Sequence, residues 1–137
     1  MPAVDGFGDP QVSWVIEAGN RRIFHGGDTV FHGSWWLIAM RFGPFDAAFL
    51  PANGAICDFP HRQPPSPLVC SMDPVQAATA ASLLNADTAV PIHYDAIHRP
   101  PVYSQADRPA EAFSEAAAER GVPARVLEPG ENLEWAV

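Results

Sequence analysis

Apolar residues in this chain fall in short runs separated by glycine, proline and aspartate, a pattern that predicts brief strands and modest helices. Residues 12–18 alternate apolar with polar, and 21–25 follow directly after Gly19 and Asn20, the signal of a β-hairpin closed by a tight turn. The second strand runs into Gly26 and Gly27 and then presents Asp28, so the backbone turns sharply while one carboxylate is held at the strand's C-terminal edge. Ser34 is placed to cap a helix over Trp35–Phe42, with Gly43 and Pro44 as its stop. That helix is apolar nearly all round, so it is expected to be deeply buried or to lie at an interface.

Further along, residues 45–50 read as a buried strand, and Asp73 with Pro74 opens a helix whose Ala77, Ala80, Ala81 and Leu84 form one apolar stripe. Residues 88–93 return as a strand ending in His93, making a strand, helix, strand crossover. Asp107 is expected to cap a last helix from Pro109 that buries Phe113, Ala116 and Ala117 and stops at Gly121, after which 122–127 form a short strand. Two segments carry no period. Residues 51–71, with five prolines, and 97–105 are read as long loops, and loops of that length are usually functional or disordered. The opening residues 1–10 also read as a loop.

Composition narrows the classes. At 137 residues, 47% hydrophobic and 18% charged, the chain has the size and balance of one soluble globular domain spanning 1–137. Its 8 basic against 16 acidic residues leave a net charge of −8, which argues against nucleic acid or an anionic membrane as partner. No run is long and apolar enough to cross a membrane and no signal segment opens the chain, so a cytoplasmic location is the default expectation. The two cysteines, Cys57 and Cys70, make no disulfide scaffold and are expected to be reduced; with Asp58 and His61 they match no zinc-finger spacing.

The chemistry rests on Asp28 and His93. Carboxylate and imidazole are both ordinary ligands for zinc-like cations, and each stands at the end of a buried strand. The alternative is that Asp28 caps a helix and His93 is a hydrogen-bonded strand-end residue. If they share an ion, their ligand atoms should lie roughly 3–4 Å apart, a demand the alternative does not make.

The order of motifs resembles the C-terminal half of a metallo-β-lactamase-fold hydrolase of the lactonase-like and phospholipase-D-like branch: Gly27-Asp28-Thr29, Phe42-Gly43-Pro44-Phe45-Asp46, Leu50-Pro51, Met72-Asp73-Pro74 and Pro91-Ile92-His93 occur in register. The family's His-x-His-x-Asp-His motif belongs to the other half, and no pair of histidines here has that His-x-His spacing. The resemblance implies an α/β fold that is half of an αβ/βα sandwich, a mixed sheet with helices on one face, and a hydrolase incomplete without its N-terminal half. It implies that Asp28 bridges two metal ions and that His93 binds one, with Asp5 standing where an imidazole is often found. Zinc is the first expectation; an aspartate at position 5 would move the preference toward manganese or iron. The metal would lower the pKa of a shared water, and the hydroxide would attack an ester, lactone or phosphodiester. His25, Tyr94 and His98 are substrate-side candidates for a small molecule. A half sandwich leaves a sheet face uncovered, so a homo-oligomer or a complementing N-terminal half is expected, and a non-catalytic half-domain that works by association is the competing reading.

Overall fold

The computed structural model describes residues 12–61 and 67–135. Strand β1 (Trp14–Ala18) pairs antiparallel with β2 (Arg21–His25) from Trp14↔His25 to Ala18↔Arg21, and Gly19 makes the tight turn possible with φ of 61°. Helix α1 (Trp35–Phe42) follows, then β3 (Ala47–Pro51) alongside β2 in parallel. Beyond α2 (Pro74–Leu83), β6 (Ala89–Ile92) pairs in parallel with β3, which completes the sheet order β1-β2-β3-β6. Helix α3 (Pro109–Glu119) packs against α2 and β6.

Register separates the two faces of this sheet. Val15, Phe24, Ala48 and Ala89 form one row across all four strands, and that row joins the core with Trp35, Ala77, Ala81 and Phe113 from the helices. The small alanines of α2 let it lie close to the strands. Its N-terminus is fixed by a reciprocal capping box: the Asp73 carboxylate accepts from Gln76 N at 2.8 Å, and the Gln76 side chain accepts from Asp73 N at 3.1 Å. Phe24 packs edge-on to Trp35 (5.9 Å, 80°) and against Phe45 (5.6 Å), contacts worth about 0.5–1.5 kcal/mol each beyond the burial itself. The opposite face carries Trp14, Ile16, Ile23 and Phe49, with Trp14 60% exposed.

Several expectations need correction. Residues 51–71 and 97–105 are not structureless: β4 (Ile56–Cys57), β5 (Leu68–Val69) and β7 (Tyr103–Ser104) form a second, three-stranded antiparallel sheet in the order β5-β4-β7. Strands of two residues leave no alternation to read. Helix α1 is not deeply buried, since Trp35 alone is enclosed while Trp36 and Met40 are exposed. Ser34 makes no side-chain cap bond, and α3 is entered through Arg108 at φ 40° with no side-chain cap, so Asp107 does not take that role. In 122–127 pairing is limited to an isolated bridge of Ala124 to Ala89. Asp5 lies outside the described residues.

Candidate functional site

Parallel β2, β3 and β6 deliver their C-terminal ends to one edge of the large sheet, the edge where open α/β sheets place ligands. The turn after β2 is built by its two glycines. Gly26 N donates to Phe49 O at 2.8 Å, and a Cβ there would meet Leu50 and Pro51 at 3.2–3.3 Å. Gly27 has φ of 67°, and a Cβ there would stand 2.9 Å from Val12 O. Past the turn, Thr29 O accepts from Met72 N at 3.1 Å, so the segment bearing Asp28 is anchored at both ends.

His93 leaves β6 in the left-handed region (φ 62°), a conformation that costs any L-residue energy. Its Nε2 lies 3.7 Å from Asp28 Oδ2, the second Asp28 oxygen is shielded from solvent, and both side chains are partly exposed. Asn53, 2% exposed, reaches His93 from the turn beyond β3: its Nδ2 stands 3.1 Å from His93 Nδ1 and donates to the Tyr103 hydroxyl at 2.8 Å. Ala55 N donates to Asn53 Oδ1 at 3.1 Å, and Ala106 N donates to Asn53 O at 2.8 Å. Asn53, His93, Tyr94, Tyr103 and Gln105 line a cleft of about 100 Å³ with Ile97 at its wall.

The other expected residues are distributed unequally. His25 stacks on Phe49 (6.1 Å, 13°) and its Nδ1 accepts from Gly27 N at 3.1 Å, so it braces the turn that carries Asp28. Tyr94 lines the cleft, and burial together with neighbouring Asp95 and Glu128 pushes its phenol above the usual range. His98 is drawn to the loop, where its Nδ1 accepts from Gln105 N at 3.1 Å. Asn53 and Tyr103 went unread in the sequence, because both sit in segments without periodicity. The dipeptide Asn53-Gly54 was the available signal, and it reads only as a turn.

Two groups beside the site are held in their neutral forms. Burial, the neighbouring Cys70 and the Asp28 carboxylate push the Cys57 thiol up to about 12, so it stays protonated and inert. Burial pushes Tyr103 up as well, partly opposed by its bond from Asn53, with Asp28 adding to the rise. A carboxylate oxygen and an imidazole nitrogen 3.7 Å apart stand at the separation of two ligands to one divalent cation. Among the described residues no group of three His, Cys, Asp or Glu side chains could hold a metal ion, and Asp28 and His93 bring two donors together.

Comparison with known proteins gives this arrangement a context. Residues 4–94 match the sequence profile of the beta-lactamase superfamily domain. A UPF0173 metal-dependent hydrolase from Thermus thermophilus is 33% identical over 127 residues, which is 93% of this chain and 47% of that protein. A UPF0173 metal-dependent hydrolase from Thermococcus kodakarensis is 30% identical over 96% of the chain and 49% of its own length. Among solved structures, Igni18, a metallo hydrolase from Ignicoccus hospitalis, superimposes with a TM-score of 0.66 at 28% identity, covering 91% of this chain and 46% of that one. YhfI from Bacillus subtilis, a metallo-beta-lactamase fold protein, shares the fold at 12% identity and a TM-score of 0.58, covering 87% of this chain and 42% of that one. The chain thus spans about half the length of the relatives it matches.

Proposed function

We propose, from the premise that this chain belongs to the beta-lactamase superfamily, that it is the C-terminal half of a metal-dependent hydrolase acting on a small ester, lactone or phosphodiester. The observation that carries the reading is the convergence of Asp28 and His93 to 3.7 Å from β2 and β6, strands that are separated by β3. Asp28 and His93 would hold the cation, with Asp5 as a third donor; zinc is the favoured cation, manganese or iron the alternatives. A bound divalent cation supplies the Lewis acidity that makes water a nucleophile near neutral pH. The chain's own residues orient and enclose: His25 braces the Asp28 turn, while Tyr94 and Ile97 give the cleft wall a surface for a substrate. His98 accepts from the backbone N–H of Gln105, a residue that lines the cleft, and is the weaker substrate-side candidate. No described helix is long and apolar enough to cross a membrane; both cysteines are free thiols, which supports a cytoplasmic setting.

Zinc titration by calorimetry tests this. Weak binding is expected, lost on Asp28→Asn and on His93→Gln; binding that neither substitution alters would remove the assignment. Elemental analysis showing a full two metals per chain after dialysis would contradict the partial shell.

A second reading has its own observation. Trp14 and Ile16 stand exposed on the sheet face away from the helices, and Trp36 and Met40 on α1. Exposed apolar surface of this kind marks an interface, and a second copy or a complementing N-terminal half would cover it. Light scattering over a dilution series should show association, and a monomer at every concentration would refute it.

A further inference from the structure

The Asn53 side chain is buried and its orientation is determined by chemistry. Ala55 N can only donate, so the atom it faces at 3.1 Å must be the amide oxygen. The NH2 group therefore points the other way, with one hydrogen to the Tyr103 hydroxyl at 2.8 Å and the other toward His93 Nδ1 at 3.1 Å. An NH2 group accepts no hydrogen bond, so Nδ1 of a neutral His93 must present its lone pair, and the ring proton resides on Nε2. Nε2 is the nitrogen 3.7 Å from Asp28 Oδ2. A ligand histidine is held the other way round: its free nitrogen donates to an acceptor and the metal-facing nitrogen offers its lone pair.

We infer that Asn53 is a positioning residue that holds His93 as its Nε2–H tautomer, aiming a donor at Asp28 and keeping the imidazole from ligating until the Asn53 bond is given up. The tautomer change moves one proton from Nε2 to Nδ1 and requires Nδ1 to lose its contact with Nδ2, since two donors would otherwise face each other. This deepens the metal-site reading and rests on it for its consequence, though not for the tautomer. Replacing Asn53 by aspartate fits the surroundings: one oxygen keeps the bond from Ala55 N, and the other accepts from His93 Nδ1–H and from the Tyr103 hydroxyl. Asn53→Asp should therefore turn the imidazole into a ready ligand.

The test is long-range proton–nitrogen NMR on histidine-labelled, metal-free protein above the histidine titration range, with the His93 signals identified by their loss in His93→Gln. The expected pattern is an acceptor-type Nδ1 and a protonated Nε2 in the native chain, reversed in Asn53→Asp. Competition with a chromophoric chelator should show zinc bound about tenfold more tightly by Asn53→Asp, the scale at which outer-shell partners tune affinity. A native His93 protonated on Nδ1, or averaging between tautomers, would overturn the inference. So would an Asn53→Asp protein, folded by circular dichroism, whose tautomer matches the native chain, or one that binds zinc measurably but no more tightly than a native chain that also binds it. If Asn53→Asp does not fold, the native spectrum decides by itself. Absence of zinc binding in both proteins would refute the functional reading while leaving the tautomer result to stand.

Discussion

Gly27→Ala isolates the mechanical basis of the Asp28 turn. Two costs combine at this position. An L-residue in the left-handed region loses about 1–2 kcal/mol, and the new methyl would lie 2.9 Å from Val12 O, closer than real Cβ atoms approach backbone. Relieving that overlap by moving the start of the hairpin adds about 1–3 kcal/mol, the usual range for forcing a methyl into filled space. Gly19 provides the internal reference: its φ of 61° is nearly the same, but nothing lies within 4 Å of the added Cβ. Gly19→Ala should then cost about 1–2 kcal/mol and Gly27→Ala about 2–5 kcal/mol. Urea denaturation followed by circular dichroism measures both, provided the m-values agree. Equal destabilisation of the two variants would refute the steric argument, and with it the claim that close packing on Val12 holds the turn.

Other outcomes follow from features already described. Asp73→Ala removes the capping box of α2 and should cost about 1 kcal/mol in the same denaturation assay, within the range of about 0.5–2 kcal/mol for lost caps. The Asp46 carboxyl is held below its ordinary value by the Arg22 backbone N–H and by Arg21. Its contribution to stability is therefore complete above the ordinary carboxylate value and is lost as pH falls through the lower folded-state value; Asp46→Asn should flatten the thermal stability profile in that acid window. Cys57, pushed up to about 12, and buried Cys70 should be unreactive toward a disulfide reagent at mildly alkaline pH in the native chain, and both should react once guanidinium is added.

The parts of the fold legible in the sequence were those encoded locally. Helix α2 is written in Asp73, Pro74 and the alanine stripe, and the β1-β2 hairpin in Gly19 and Asn20, because caps and turns act over a few residues. Asp28 and His93 were legible as strand-end residues, and their meeting required the parallel register of β2, β3 and β6. The small sheet was illegible because its strands are two residues long and their partners lie far off in sequence, Ile56 opposite both Val69 and Ser104. Asn53 was hidden for the same reason: its bonds to His93 and Tyr103 span 40 and 50 positions, and no local pattern foretells them. Arg108 takes the cap of α3 in a left-handed conformation that a sequence reading gives to glycine or asparagine first.

Because the strands bearing Asp28 and His93 flank β3 without touching one another, the pair exists only after the chain from β2 to β6 has closed on itself. The hairpin and single helices can form early through near neighbours, whereas this contact must wait for the most distant pairing in the sheet. Any ion or small molecule held by both residues therefore binds the finished sheet and gains nothing from partly assembled chains. By mass action such a ligand acts as a clasp, drawing the folding equilibrium toward the one state in which all three parallel strands are in register.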